Sequence, residues 1–106
     1  MYYTYMLRCE DHSIYTGMTN NLEKRIRQHL TKDKNAAKYT KSHTAKTLLA
    51  VWQSDSRSSA AKLEFYIKKL TKPQKERLVL LNDMELLSGK LEIKHYERMD
   101  MGGEES

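Results

Sequence analysis

The sequence predicts an α+β fold, and three observations carry that prediction. Two strand-like segments at the amino terminus, residues 2–9 and 13–18, are separated only by the polar Glu10-Asp11-His12, as in an antiparallel hairpin. Later segments place apolar residues every three or four positions, the period of amphipathic helices. The length of 106 residues suits one domain with a single, modest core.

Each element follows in order. Residues 2–9 alternate loosely and are rich in Tyr, Thr, Met and Leu, which favours a strand. Gly17, inside the second strand, marks a bulge or a close backbone approach. Thr19-Asn20-Asn21 then offers helix-capping side chains, and Asn20 with Glu23 resembles a capping box. Leu22, Ile26 and Leu30 recur every four residues, so a helix over residues 21–30 buries that face. Residues 32–46 form a loop with five lysines, Tyr39 and His43, and loops of this length are usually functional or mobile. Residues 47–53 are apolar enough for a central third strand.

Ser56 caps a helix reaching about Leu70, with Ala60, Leu63, Ile67 and Leu70 on its buried stripe. Thr71 caps a third helix, where Pro73 is tolerated in the first turn. Leu78, Leu81 and Met84 or Glu85 carry it toward Gly89, a C-terminal stop. Residues 90–96 alternate well enough for a short extra strand. From Met99 onward, the mix of Gly and Glu predicts a disordered tail. The domain is therefore expected over residues 1–89, with 90–98 holding the extra strand and 99–106 the tail.

Composition narrows the function classes. The longest apolar runs, residues 48–52 and 78–81, fall far short of the ~18 residues a membrane helix requires. The amino terminus lacks the basic start and long apolar stretch of a signal peptide. A single cysteine makes neither an internal disulfide nor a multi-cysteine zinc site. The expected setting is the cytoplasm, with no membrane. Residues 1–81 carry 16 Lys and Arg against 7 Asp and Glu, a balance of +9, whereas residues 82–106 carry 3 against 7. The basic part coincides with the part that looks folded, which suits a polyanionic partner as well as a lysine-rich solvated surface.

Three features stand apart from what a core requires. Seven of nine aromatics are tyrosine, and two triplets, Tyr3-Thr4-Tyr5 and Tyr15-Thr16-Gly17, bring phenols onto the paired strands. They suit a cross-strand packing pair or a phenolic site. Arg25 and His29, four apart, share one helix face; a guanidinium and an imidazole make sense where a phosphate needs a cation and a water needs a base. Two solvated side chains are the plainer alternative. Counting ~100° per residue, Glu64 lies ~40° from Ala60 and ~60° from Ile67, at the edge of a buried face. A carboxylate there pairs with Lys68 one turn on or binds a metal.

Together and in order, these features resemble the GIY-YIG endonuclease family. Tyr3-Thr4-Tyr5 is similar to its first tyrosine triplet, and Tyr15-Thr16-Gly17 to its second. Tyr5-Met6-Leu7-Arg8-Cys9, Tyr15-Thr16-Gly17-Met18-Thr19, Ala37-Lys38-Tyr39-Thr40 and Ile67-Lys68-Lys69-Leu70-Thr71 resemble the small stand-alone bacterial members. The resemblance covers residues 2–81. It departs at Tyr3, which stands for Gly, at Thr16, which stands for Ile, and at Asn35-Ala36-Ala37, where such proteins often carry glycines.

The resemblance implies a three-stranded antiparallel sheet flanked by helices, and metal-dependent hydrolysis of DNA phosphodiester bonds in DNA repair or recombination. Glu64 is then the ligand of a divalent metal, Mg or Mn, and Arg25 the phosphate clamp. Tyr5 is the preferred base or water-orienting phenol, with Tyr15 and His29 completing the proton network. Lys38, Tyr39 and Lys41 of the basic loop are expected to contact the nucleic acid. DNA is the expected partner, with RNA and the oligomeric state left open. The alternative is a nucleic-acid-binding module of the same fold with little or no nuclease activity, which needs only a basic surface and aromatics.

Overall fold

The computed structural model describes residues 1–32 and 37–100. Its strands are β1 (Tyr2–Cys9), β2 (Ile14–Thr19), β3 (Ala45–Ser54) and β4 (Glu97–Arg98), and its helices α1 (Leu22–Thr31), α2 (Lys38–Ser42), α3 (Arg57–Lys68) and α4 (Lys72–Leu81). The strands form one antiparallel sheet in the order β2-β1-β3-β4. The α+β class and the three expected strands are present, and the short β4 adds a fourth at the β3 edge.

β1 is central and covered on both sides, so Thr4, Tyr5, Met6 and Leu7 are all buried. This explains why its alternation is loose in the sequence: a strand with two buried faces has no polar side to show. Met6 points into a core with Ala50, Trp52, Leu63, Ile67, Leu78 and Leu87, supplied by β3, α3, α4 and the turn that follows. Tyr5 and Leu7 point the other way, with Val51, and the half-buried Leu22 and Ile26 of α1 pack against them. The Thr4 hydroxyl donates to the Ala60 carbonyl at 3.0 Å, tying β1 to α3. The Arg8 guanidinium makes two 2.6 Å bonds to the Glu76 carboxylate, which joins β1 to α4.

Several boundaries differ from the sequence expectation, each for a physical reason. Asn21, not Asn20, caps α1 by accepting from the Lys24 N–H. Leu30 is 45% exposed, while His29 is fully buried. At ~100° per residue, Leu22, Arg25, Ile26 and His29 share a face that Leu30 leaves by ~80°, so the helix is turned to bury His29, with Arg25 half-buried beside it. The basic loop contains α2, and β3 starts at Ala45, two residues earlier than expected; Asp33, Lys34, Asn35 and Ala36 lie outside the described residues. The Ser56 and Thr71 caps form as expected, the latter with a full capping box through Gln74.

α4 stops at Asn82, which takes the left-handed conformation at φ 51°, so the helix does not reach Gly89. Asn82 also accepts from the Trp52 indole at 2.9 Å, and Leu81 is exposed rather than buried. Two 3₁₀ turns, Met84–Leu87 and Ile93–His95, follow. The extra strand is thus displaced from residues 90–96 to Glu97–Arg98, where Arg98 pairs with Trp52 and donates to the Val79 carbonyl near the end of α4. Met99, expected in a disordered tail, instead donates its N–H to the Val51 carbonyl at 2.8 Å and packs against the cluster of Tyr5, Leu7, Ala45 and Val51; residues 101–106 of that tail lie outside the described residues. No helix among the described residues is long and apolar enough to cross a membrane.

Candidate active site

The hairpin register sets Tyr5 opposite Gly17 and Leu7 opposite Tyr15, so the two phenols project from the same face, one on each strand. Gly17 is what lets them do so. A Cβ at that position would stand 2.6 Å from the Tyr5 hydroxyl oxygen and 2.9 Å from the Tyr15 ring. The glycine is a close-approach residue, and the ladder irregularities fall elsewhere, between β1 and β3.

α1 crosses this face and presents His29 to the phenols. The Tyr5 hydroxyl lies 2.7 Å from His29 Nε2, and the His29 ring lies 5.5 Å from the Tyr5 ring and 5.2 Å from the Tyr15 ring. On the far side, His29 Nδ1 lies 2.8 Å from the hydroxyl of Thr40 in α2. α2 thereby closes the site, because Tyr39 also stacks on Tyr15 at 5.5 Å and His43 stacks on Tyr39 at 4.2 Å. His43 is fixed in turn by Asp11 of the hairpin turn, 2.5 Å from its Nδ1.

Arg25, one turn before His29, donates to Gln28 at 2.8 Å and stands near enough to Tyr5 to pull its phenol's pKa down. Glu64 enters from α3, close enough for its charge to act on Tyr5. It pairs with Lys68 at 3.2 Å, and the Lys68 ammonium sits 5.8 Å above the Tyr15 ring. The five residues Tyr5, Tyr15, Arg25, His29 and Glu64 are therefore drawn together from β1, β2, α1 and α3. Lys38 and Lys41 lie on the exposed side of α2, and Tyr39 faces inward onto Tyr15 rather than outward.

The electrostatics follow from burial. Loss of hydration pushes the Tyr5 phenol above its ordinary value, and the neighbouring Tyr15 adds to this against the opposing pull of Arg25. Burial, with Arg25 second, pulls the His29 imidazole down to about 4. At neutral pH the pair is thus a protonated phenol beside a neutral imidazole.

Among the described residues, no three His, Cys, Asp or Glu side chains cluster to cage a metal ion. Glu64 is a single, partly exposed carboxylate, a hard oxygen donor. Such a donor fits a hydrated divalent cation shared with a substrate phosphate, not a tightly held resident metal. Sequence reasoning did not single out Thr40 or Gln28, which hold His29 and Arg25. Their only signal was position: Thr40 ends the Ala37-Lys38-Tyr39-Thr40 run, and Gln28 sits three residues from Arg25.

Comparison with known proteins identifies the family. The GIY-YIG catalytic domain model matches residues 1–77. A UPF0213 protein of Fusobacterium nucleatum is 50% identical over 78 residues, covering 74% of this chain and 76% of its own. A UPF0213 protein of Clostridium perfringens is 44% identical over 79 residues, covering 74% of this chain and 83% of its own. The solution NMR structure of a UPF0213 protein from Bacillus halodurans is 33% identical and covers 86% of this chain and 97% of that chain, with a TM-score of 0.47. With the domain match running through the hairpin, α1 and α3 that build the site, this chain belongs to the GIY-YIG family.

Proposed function

We propose that the protein is a metal-dependent endonuclease that hydrolyses DNA phosphodiester bonds, acting in the cytoplasm in DNA repair or recombination. The observation that carries this reading is the convergence of two phenols, a neutral imidazole, a guanidinium and a carboxylate on one spot from four separate elements. A core has no use for that set, whereas phosphodiester hydrolysis needs a proton acceptor for water, a cation on the phosphate and charge stabilisation at the leaving oxygen.

Arg25, held by Gln28, clamps the scissile phosphate. Glu64 holds the divalent ion, Mg²⁺ or Mn²⁺, which when bound supplies charge stabilisation to the leaving oxygen. Tyr5 is fully buried with a raised pKa, so its place is support: it bonds His29 and fixes the floor of the site. Tyr15 is only half-buried, and it is the phenol that meets the attacking water. Lys38 and Lys41 meet the nucleic-acid backbone. The ordinary ion pair between Glu64 and Lys68 favours a second reading, a nucleic-acid-binding module with this fold and little nuclease activity.

Plasmid nicking with Mg²⁺ or Mn²⁺ separates the two. The wild type is expected to relax supercoiled DNA, and chelation to stop it. Glu64→Gln keeps the shape but removes the charge, so cleavage falls by at least ~100-fold while DNA binding is kept or improved. Salt-sensitive binding without any nicking establishes the module instead. Full metal-dependent activity in Glu64→Gln would falsify the ligand assignment.

A further inference from the structure

The hydrogen bonds around His29 have only one consistent direction. The Thr40 hydroxyl, fully buried, lies 3.1 Å from the Ala37 carbonyl oxygen and 2.8 Å from His29 Nδ1. A carbonyl only accepts, so the single Thr40 proton goes to Ala37. Thr40 must then accept from His29, which places the imidazole proton on Nδ1. Nε2 is left bare, and the Tyr5 hydroxyl donates to it across 2.7 Å. The chain runs from Tyr5 to His29 to Thr40 to Ala37, each hydroxyl or ring passing its one proton onward.

We infer that Thr40 is a positioning residue that fixes the Nδ1–H tautomer of His29 and so keeps Nε2 as the acceptor facing Tyr5. Without Thr40, the imidazole is free to carry its proton on Nε2, and the bond across 2.7 Å then reverses, with the Tyr5 oxygen accepting from His29. Thr40 stands on α2, the element that also carries Lys38, Lys41 and the Tyr39 ring on Tyr15. The site therefore takes its tautomer from the same short helix that the nuclease reading assigns to the nucleic acid. The link between α2 and cleavage rests on that reading; the tautomer itself does not.

The test is two-bond ¹⁵N–¹H correlation of the imidazoles in the full-length labelled protein at neutral pH, with His29 assigned by its loss in His29→Gln. Wild type and Thr40→Ser are expected to show the Nδ1–H form. Thr40→Val, nearly the same shape but without an acceptor, shifts His29 toward Nε2–H. In the nicking assay, Thr40→Val lowers kcat by roughly 10–100-fold, the range for removing a supporting partner of a site residue, with KM little changed. Thr40→Ser restores it. An Nε2–H tautomer in the wild type, which needs no variant to observe, overturns the inference. So does an unmoved tautomer in folded Thr40→Val. If the wild type nicks nothing yet His29 carries Nδ1–H, the nuclease reading fails and the tautomer assignment stands.

Discussion

Acid should unfold this protein through one buried histidine before its carboxylates take part. In the unfolded chain His29 binds a proton at its ordinary value near 6.5, whereas in the fold it resists protonation down to about 4. Between those values unfolding takes up a proton, so stability is full above about pH 6.5 and falls as the pH drops toward 4. At ~1.36 kcal/mol per pH unit, that gap corresponds to about 3 kcal/mol. His29 is fully buried, so solvent does little to screen this cost. For a domain of ~100 residues, this lowers Tm by on the order of 10–20 °C. The carboxylates of Glu76, bonded by Arg8, and of Asp11, bonded by Ser13 and His43, are held below their ordinary values. Their contributions are therefore lost only as pH falls through about 4.5 and below, leaving the higher window to His29. Urea denaturation of wild type and His29→Gln, followed between about pH 7 and about pH 4.5, should give curves whose slopes differ by up to one proton. The variant is less stable throughout, but its stability falls less on acidification. Parallel curves would refute the argument, as would an NMR titration of His29 with its midpoint near the ordinary value.

Two further outcomes follow from the geometry. Replacing Lys38 and Lys41 with Ala should weaken binding to all DNA sequences and lower the salt slope by ~1 for each phosphate no longer neutralised; an unchanged slope removes these lysines from the interface. Gly17→Ala drives a methyl group into the Tyr5 hydroxyl, so thermal unfolding should report a destabilisation of ~1–3 kcal/mol together with a changed near-ultraviolet tyrosine signal, and an unaltered Tm contradicts the close-approach role of this glycine.

What the sequence determined by itself is local. The hairpin and the caps at Ser56 and Thr71 depend on interactions within a few residues: a tight turn, or a hydroxyl accepting from an N–H three positions on. Such signals survive in any tertiary setting. The ordered set of Tyr5, Tyr15, Arg25, His29 and Glu64 was also legible, because the spacing between them is carried by the chain itself. Only the tertiary structure decided how α1 is rotated. Four-residue periodicity cannot say whether Leu30 or His29 faces the sheet, and the answer came from the Tyr5 hydroxyl, 24 positions away in sequence. The stop of α4 at Asn82, fixed from outside by Trp52, and the docking of β4 on β3 depend likewise on distant partners. Thr40 is the sharpest case. Its one mark in the sequence is that it ends the Ala37-Lys38-Tyr39-Thr40 run; its significance arises because a buried imidazole must find an acceptor for its N–H, and the fold places that acceptor on α2.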